Sequence, residues 1–486
     1  MKKLLLLSVA VFIFFGANAG NKIKCYFNTP VDTTASAGVN AVYLNNCIAD
    51  TLTAYLNRAK YSIDICIYDF EKTYSYNIAT LDTTFAPEVA KAIDSAYERG
   101  VKVRIIYDSS NANTGLQLLD TGIHTMGSPQ GSAYTIMHNK FVIIDAGSPD
   151  HNDPIVWTGC LNWYYEQWNW DYNNVIIFQD SALSSAYTAE FNMMWGDTGI
   201  NKNWATSKFG QFKTDLGMHT FYIDGNLVEL YFSPSDGTDS HIQSTIETAN
   251  KDLYFGEYTF TETTDANDII AKSNAGLTVY GINDSYSNSY YPTEHFTPDL
   301  AAHFKVYTES ADTLYHNKML IIDPSDTCSD PMVLTGSHNW SSSANTKNDE
   351  NTVIVHNASI ANQYLQYFMG SFNNLPGSTV TLPAYNCEAA VAPTKVLPNI
   401  AVTDNFVVYP TPSDGKIYLA YQLSSAQTVS MDIYNVTGQK VASLISDDLQ
   451  YAGRHTCNYT LGTPGLYFVR IIAGNELFTR KVLIAE

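Results

Sequence analysis

Eight residues, His138-Asn139-Lys140-Phe141-Val142-Ile143-Ile144-Asp145, return as His316-Asn317-Lys318-Met319-Leu320-Ile321-Ile322-Asp323, so H-x-K-x4-D occurs twice, 178 residues apart. Each copy runs on into a matching turn, Thr158-Gly159-Cys160-Leu161-Asn162-Trp163 and Thr335-Gly336-Ser337-His338-Asn339-Trp340. A duplication of this length makes two similar units, and matched motifs imply one composite site. Alternate residues of a strand face one side, so His138 points with Lys140 and His316 with Lys318. Each copy therefore offers a phosphate one nucleophile and one cation. The apolar runs 141–144 and 319–322 read as buried strand, and the Thr-Gly turns return Asn162 and Asn339 as amide donors.

The repeat extends beyond the motifs. Residues 61–70 correspond to 251–260 as strands, each after a helix-like stretch, 48–59 and 241–249. A helix over 87–99 stopped by Gly100 and a strand over 101–108 are matched by 267–274, Gly276 and 277–282. Strand-helix-strand order predicts parallel α/β units. Helices over 182–195 and 360–372 close the two halves. Beyond Phe372, Pro376, Gly377, Pro383, Pro393 and Pro398 mark a linker. Short strands separated by turns, at 407–416, 429–434, 465–472 and 478–484, then predict a small β-sandwich.

Lys2 and Lys3, an apolar run from Leu4 to Phe15 and Ala17-Asn18-Ala19 read as a signal peptide cleaved after Ala19. The seven cysteines after it are an odd number for a compartment that permits disulfides, and Cys25 and Cys47 are a candidate pair. Cys66 and Cys160 fall in a strand and a motif turn and read as buried thiols. Net charge is −21; with two lysines in the leader and seven acids against six bases in residues 400–486, residues 20–399 carry −22. A nucleic-acid binder needs a basic face, and none is visible: Arg99, Lys102 and Arg104 read as a solvated edge. The acidity leaves zwitterionic phospholipid head groups as a natural substrate. Trp157, Trp163, Trp168, Trp170 and Trp340 read as core or as the wall of an entrance, and residues 280–291 as a tyrosine-rich loop near the site.

A phosphodiester resists nucleophiles, so its cleavage needs cations and donors on its oxygens, a nucleophile, and an acid for the leaving alkoxide. Two His, two Lys and two Asn supply these without a metal or cofactor, and the histidines lack the neighbours that zinc ligation would require. Lys140, Lys318, Asn162 and Asn339 hold the oxygens; one imidazole attacks phosphorus while the other protonates the leaving alcohol and then activates water.

Both motifs with their downstream Gly and Asn resemble the phospholipase D superfamily over residues 22–375. The resemblance implies two tandem α/β/α units forming a pseudo-two-fold bilobal α/β domain, cleavage of phosphodiesters through a phosphohistidine, and one chain that is a monomer because it holds both motifs. It assigns attack to His138 and acid/base work to His316. It also implies an acid some thirty residues after each motif, which Glu350 supplies in one half; Asn173 stands there in the other, with Asp171 or Glu166 as substitutes. Asp145 and Asp323 complete the motifs and look structural in the family, which makes them weaker site candidates. The C-terminal module resembles the type A sorting domain of proteins exported by the type IX system of Bacteroidota, with Thr411 where the family commonly has Asn. It implies that secretion machinery as a partner and a secreted or cell-surface location. The expected division is a leader over 1–19, halves over 20–215 and 216–375, a linker over 376–401 and the sorting domain over 402–486. The implied function is hydrolysis of phospholipids at a membrane surface to phosphatidic acid and free head group. An extracellular endonuclease of the same superfamily, with nucleic acid as substrate, is the alternative.

Overall fold

A computed structural model of the chain describes residues 21–72, 85–131, 133–285, 303–307, 313–324, 326, 329–383, 406–409, 413, 415–423, 427–436, 438–450, 453–474 and 476–484. The expected leader, residues 384–401 of the expected linker and residues 286–291 of the tyrosine-rich stretch lie outside the described residues. The chain divides into two compact units, Met1–Ala390 and Val391–Glu486.

The first unit holds two sheets built on one plan. In chain order the elements of the first are β1 (Ile23–Phe27), α1 (Ile48–Leu56), β2 (Ser62–Ile67), α2 (Phe85–Glu98), β3 (Lys102–Tyr107), β4 (His124–Gly127), β5 (Lys140–Ile144), β6 (Ile155–Gly159), α3 (Tyr165–Asn169), β7 (Asn174–Phe178) and α4 (Ser181–Trp195). Then follow β8 (Thr220–Ile223), β9 (Asn226–Ser233), α5 (Thr238–Glu247), β10 (Asp252–Glu257), α6 (Thr263–Asn274), β11 (Thr278–Asp284), β12 (Phe304–Tyr307), β13 (Lys318–Ile322), β14 (Met332–Gly336), α7 (Ser342–Thr346), β15 (Glu350–His356) and α8 (Ala358–Asn373). The strand orders are β1-β7-β6-β5-β2-β3-β4 and β12-β11-β10-β13-β14-β15-β9-β8.

The parallel expectation is corrected in part. β2, β3 and β4 are parallel, as are β10, β11 and β12, but the motif strands β5 and β13 run antiparallel to both neighbours. Ten residues separate β5 from β6, too few for the crossover of a dozen or more that a parallel pair needs.

Each motif strand is apolar on both faces because both are covered. Phe141 and Ile143 of β5 meet Met319 and Ile321 of β13 in a central core shared with α4 and α8, through Tyr187, Phe191, Tyr364 and Phe368. Val142 and Ile144 face α1 and α2, and Leu320 and Ile322 face α5 and α6. Burying one such side chain stabilises by about 1.5–3 kcal/mol, so a one-residue slip of either strand would exchange two filled faces at once.

Two expectations fail inside this core. Cys25 and Cys47 do not pair: Cys25 is buried on β1 with its thiol toward Gln363 Oε1 at 3.6 Å, while Cys47 is a free, exposed thiol at the start of α1. Arg104 is not a solvated edge. Its guanidinium donates to both oxygens of Asp64, at 2.7 and 2.8 Å, and lies over the rings of Phe191 and Trp195.

The second unit is a pair of antiparallel sheets. β16 (Phe406–Tyr409), β17 (Lys416–Leu423) and β20 (Gly453–Thr460) form one; β18 (Gln427–Asn435), β19 (Lys440–Gln450), β21 (Gly465–Ala473) and β22 (Glu476–Ile484) form the other. Ile417, Leu419, Met431, Val469 and Ile471 fill the core between them.

Candidate active site

The two motif strands begin at the same end of their sheets, and the chain segments just before them cross to the opposite half. His138 N–H donates to Asp349 O at 2.9 Å and Asp349 N–H to Ile136 O at 3.1 Å; on the other side Tyr172 N–H donates to Leu314 O at 2.8 Å. Side chains repeat the exchange. Asn351 Nδ2 donates to Thr158 Oγ1 at 2.7 Å, and Thr335 Oγ1 donates to Asn174 Oδ1 at 2.8 Å. Gly159 and Gly336, both at φ 151°, let the motif turns pass the backbone of Asn174 and Asn351, where a Cβ would collide with the carbonyl oxygen.

Each histidine is held by a residue of the other half. His138 Nδ1 lies 2.8 and 2.9 Å from the two oxygens of Glu350. Ser337 Oγ donates to the same carboxylate at 2.7 Å and Asn348 Nδ2 at 3.2 Å. His316 Nδ1 lies 3.0 Å from Asn173 Oδ1, which also accepts from the Cys160 thiol at 3.3 Å. Asn173 Nδ2 donates to Gln167 O and Asp171 O, at 3.2 and 3.4 Å, which fixes the amide with its oxygen toward His316. A carboxylate and an amide oxygen are acceptors only, so both imidazoles carry hydrogen on Nδ1 and present Nε2 to the site.

Both lysines are almost fully buried and donate to the carbonyl two residues back, Lys140 Nζ to His138 O at 2.8 Å and Lys318 Nζ to His316 O at 2.9 Å. The rings of Tyr68 and Tyr258 complete the pair. Tyr68 meets the His138 ring at 4.7 Å and lies under Lys140 Nζ at 4.8 Å; Tyr258 does the same for His316 and Lys318 at 4.9 Å each. These tyrosines were missed in the sequence, although the aligned segments Tyr68-Asp69-Phe70 and Tyr258-Thr259-Phe260 carried the signal.

Burial dominates the charge states. It holds Lys140 down to about 7, against Glu350, and lowers Lys318 as well. It raises Glu350, but the His138 ring, His338 and Lys140 outweigh it and keep that carboxylate at about 2. It lowers His138, which Glu350 partly offsets, and pushes His316 well below 6.5 with Lys318 and Lys140 adding to the effect. An anion between the lysines would supply the missing counter-charge.

The remaining expected residues sort by position. Asn162 and Asn339 lie in the turns after β6 and β14, at the lysine end of their sheets, and the Oδ1 of each is buried without a hydrogen bond. Asp145 and Asp323 do not join them. Each ends the far side of its strand at positive φ and gathers three consecutive backbone N–H groups, of residues 60–62 and 250–252. Their chemistry is spent fixing the loop before β2 and β10. Asp171 accepts from Leu314 N at 2.7 Å, and among the described residues no carboxylate bonds to His316. Trp157, Trp163, Trp168 and Trp340 are core, whereas Trp170 is exposed. Asp349, the residue before Glu350, belongs to a buried triad: Lys213 Nζ reaches Glu190 at 2.6 Å and Asp349 at 3.1 Å. Among the described residues the one group of donors close enough to share a metal ion is Asp215, His219 and Asp236, which includes neither motif histidine.

Two imidazoles held through Nδ1 by the opposite half, each with a buried lysine two residues on, across a duplicated α/β unit, define a phospholipase D-type centre. Residues 52–195 and 242–372 match the family described as "Cardiolipin synthase, PLD-like domain", and the chain belongs to it. Residues 407–485 match the secretion system C-terminal sorting domain, the type IX module that directs export to the cell surface or the extracellular space. The chain is 30% identical over 148 residues to the mitochondrial cardiolipin hydrolase of Xenopus tropicalis, covering 30% of this chain and 59% of the relative. It is 27% identical over 142 residues to a phospholipase D of Rickettsia bellii, covering 29% and 67%. Among solved structures, the phosphatidylserine synthase of Haemophilus influenzae Rd KW20 is similar at a TM-score of 0.46 and 12% identity, over 71% of this chain and 84% of that one.

Proposed function

We propose that the chain is an exported phosphodiesterase that hydrolyses phospholipids to phosphatidic acid and a free head group through a phosphohistidine, acting as a monomer at a membrane surface. One observation carries the reading: two Nε2 atoms are presented by imidazoles whose Nδ1–H is locked by the opposite half, each with a lysine two residues on. The lysines, with Asn162 and Asn339, take the non-bridging oxygens; one imidazole attacks and the other handles the proton. Lipid is favoured over nucleic acid because residues 20–399 carry −22 and Arg104, of the basic cluster Arg99, Lys102 and Arg104, is tied to Asp64. Relatives named cardiolipin hydrolase and phospholipase D support the same substrate class.

The test follows choline release from phosphatidylcholine vesicles beside cleavage of single-stranded DNA, using the purified full chain in EDTA with His138→Ala as control. Choline release abolished by the substitution is expected. Cleavage of DNA alone would move the reading to a nuclease, and silence on both substrates would reject phosphodiester hydrolysis.

A further inference from the structure

The two histidines differ in the residue behind them. His138 has a carboxylate 2.8 Å from Nδ1, and that carboxylate is further fixed by Ser337 and Asn348. His316 has an amide oxygen at 3.0 Å, shared with a thiol. An attacking imidazole must be neutral with a free Nε2 lone pair, whereas a proton donor must be a cation in the ground state. A cation needs a counter-charge, and in a buried site the preference between the two positions is steep.

We propose that His316 is the nucleophile and His138 the proton donor, the reverse of the order that the resemblance implies, and that the carboxylate-to-amide exchange at Asn173 sets this order. The inference rests on the phosphodiesterase reading above. The groups facing each ring agree with it. Around His138 stand Glu350, Lys140, Lys318, His338 and the Tyr68 ring, one anion among them bonded directly. Around His316 stand Lys318, Lys140, His138, Cys160 and the Tyr258 ring, with no anion bonded to it among the described residues. A proton entering the pair goes to His138.

The sequence of bonds is then fixed. The Nε2 lone pair of His316 attacks phosphorus; the bond from phosphorus to the leaving oxygen breaks, and that oxygen takes the Nε2 proton of His138. The alcohol departs, leaving phosphorus on His316, whose Nδ1–H stays on Asn173, and a neutral His138. Water then attacks phosphorus while His138 Nε2 takes one of its protons, the P–N bond breaks with its electron pair returning to His316, and His138 is a cation again. One phosphodiester and one water have become a phosphomonoester and an alcohol.

Bis(p-nitrophenyl) phosphate tests this in the full chain, because p-nitrophenolate leaves without an acid. His138→Ala should release about one p-nitrophenolate per chain in a burst and then stall, steady-state turnover falling about 10³-fold. An alkaline quench and peptide mass spectrometry should find the p-nitrophenylphosphoryl group on the peptide bearing His316. A burst in His316→Ala with the adduct on His138 overturns the order and leaves the phosphodiesterase standing. Wild-type silence on this substrate rejects the phosphodiesterase itself. Glu350→Gln gives a second readout that keeps the histidines. As support for a proton donor it should slow the first, alcohol-releasing turnover of an alkyl phosphodiester by about 10²-fold or more, but the p-nitrophenolate burst by under tenfold. Equal losses on both would place Glu350 behind the nucleophile and sink the proposal.

Discussion

The two halves of the catalytic unit share a strand order and a motif, yet they differ in several of the charges they bury. Behind the histidines, Ser337 and Glu350 on one side face Cys160 and Asn173 on the other. In the ladders, Asp64 of β2 pairs with Arg104 of β3, whereas the corresponding pair of β10 and β11 is Tyr254 with Tyr280, two rings stacked at 5.9 Å. Opposite the lysines, Ile67 faces Lys140 but Glu257 faces Lys318. Duplication thus preserved backbone geometry, which a sheet register enforces at every residue, and left side-chain charge free to diverge so long as each half stays compensated.

The largest test of that contrast removes the two supports separately. Glu350→Ala should lower kcat on a phosphodiester with an alkyl leaving group by about 10³-fold, since it deletes the counter-charge of a general acid and leaves Ser337 and Asn348 facing a void. Asn173→Ala should cost only about tenfold, because it removes no charge but only neutral hydrogen bonds, among them the one that fixes the tautomer of His316. Steady-state kinetics of both variants decide it. Equal losses would mean the halves are chemically equivalent despite their residues.

Stability offers the next contrast. Arg104→Met leaves Asp64 buried without its partner and should destabilise the chain by about 3–5 kcal/mol, the usual cost of breaking a buried ion pair on one side. Tyr280→Leu, at the matching place in the second half, removes a ring contact and should cost about 1–2 kcal/mol. Denaturant melts of the two variants check the ratio. A smaller loss for Arg104→Met would mean that water reaches Asp64.

Much of this architecture was legible from the sequence because it rests on periodicity and on repeats. The apolar runs after Lys140 and Lys318 are continuous since helices cover both faces of those strands, and the Thr-Gly turns recur because a Cβ at Gly159 or Gly336 would strike the neighbouring strand. The exchange of partners was not legible. Glu350 lies 34 residues after His316, and nothing along the chain says that it serves His138; that pairing exists only once the segments 136–138 and 349 cross between halves. Arg104 was misread for a related reason, since its partner is set by the register of two strands separated by a helix. Asp145 and Asp323 sit in the motif and not in the site, because a five-residue strand carries its two ends far apart.

The pH profile sharpens the contrast in a different way. His138 and Lys140 must both carry protons in the free enzyme, and burial lowers the first from 6.5 and holds the second at about 7. The rate on the alkaline side should therefore start to fall below pH 6.5, as His138 loses its proton, and fall further through about 7 as Lys140 does. Protonation of His316, held well below 6.5, limits the acid side. Asn173→Asp gives that ring a counter-charge, so its pKa should rise and the acid limb of kcat/KM should move up by about one pH unit, costing about tenfold at the acid end. An unmoved acid limb would separate Asn173 from the titration of His316.

The smallest expected effect is the most specific. Cys160 and Ser337 occupy the same turn position, and each accepts a backbone N–H from the residue after its half's support, Asn174 at 3.3 Å and Asn351 at 3.0 Å, while donating to that support. A thiol is the weaker donor of the two, so Cys160→Ser should strengthen the bond to Asn173 without adding charge. Turnover should change by less than about threefold and melting by about 0.5 kcal/mol or less, the latter set by the smaller volume of the hydroxyl. The ordinary thiol is also pushed up by burial, which leaves it protonated and unreactive across the working pH range. A loss of tenfold or more would show that the sulfur takes part in chemistry for which the matched serine has no use, and the equivalence of the two turns would end there.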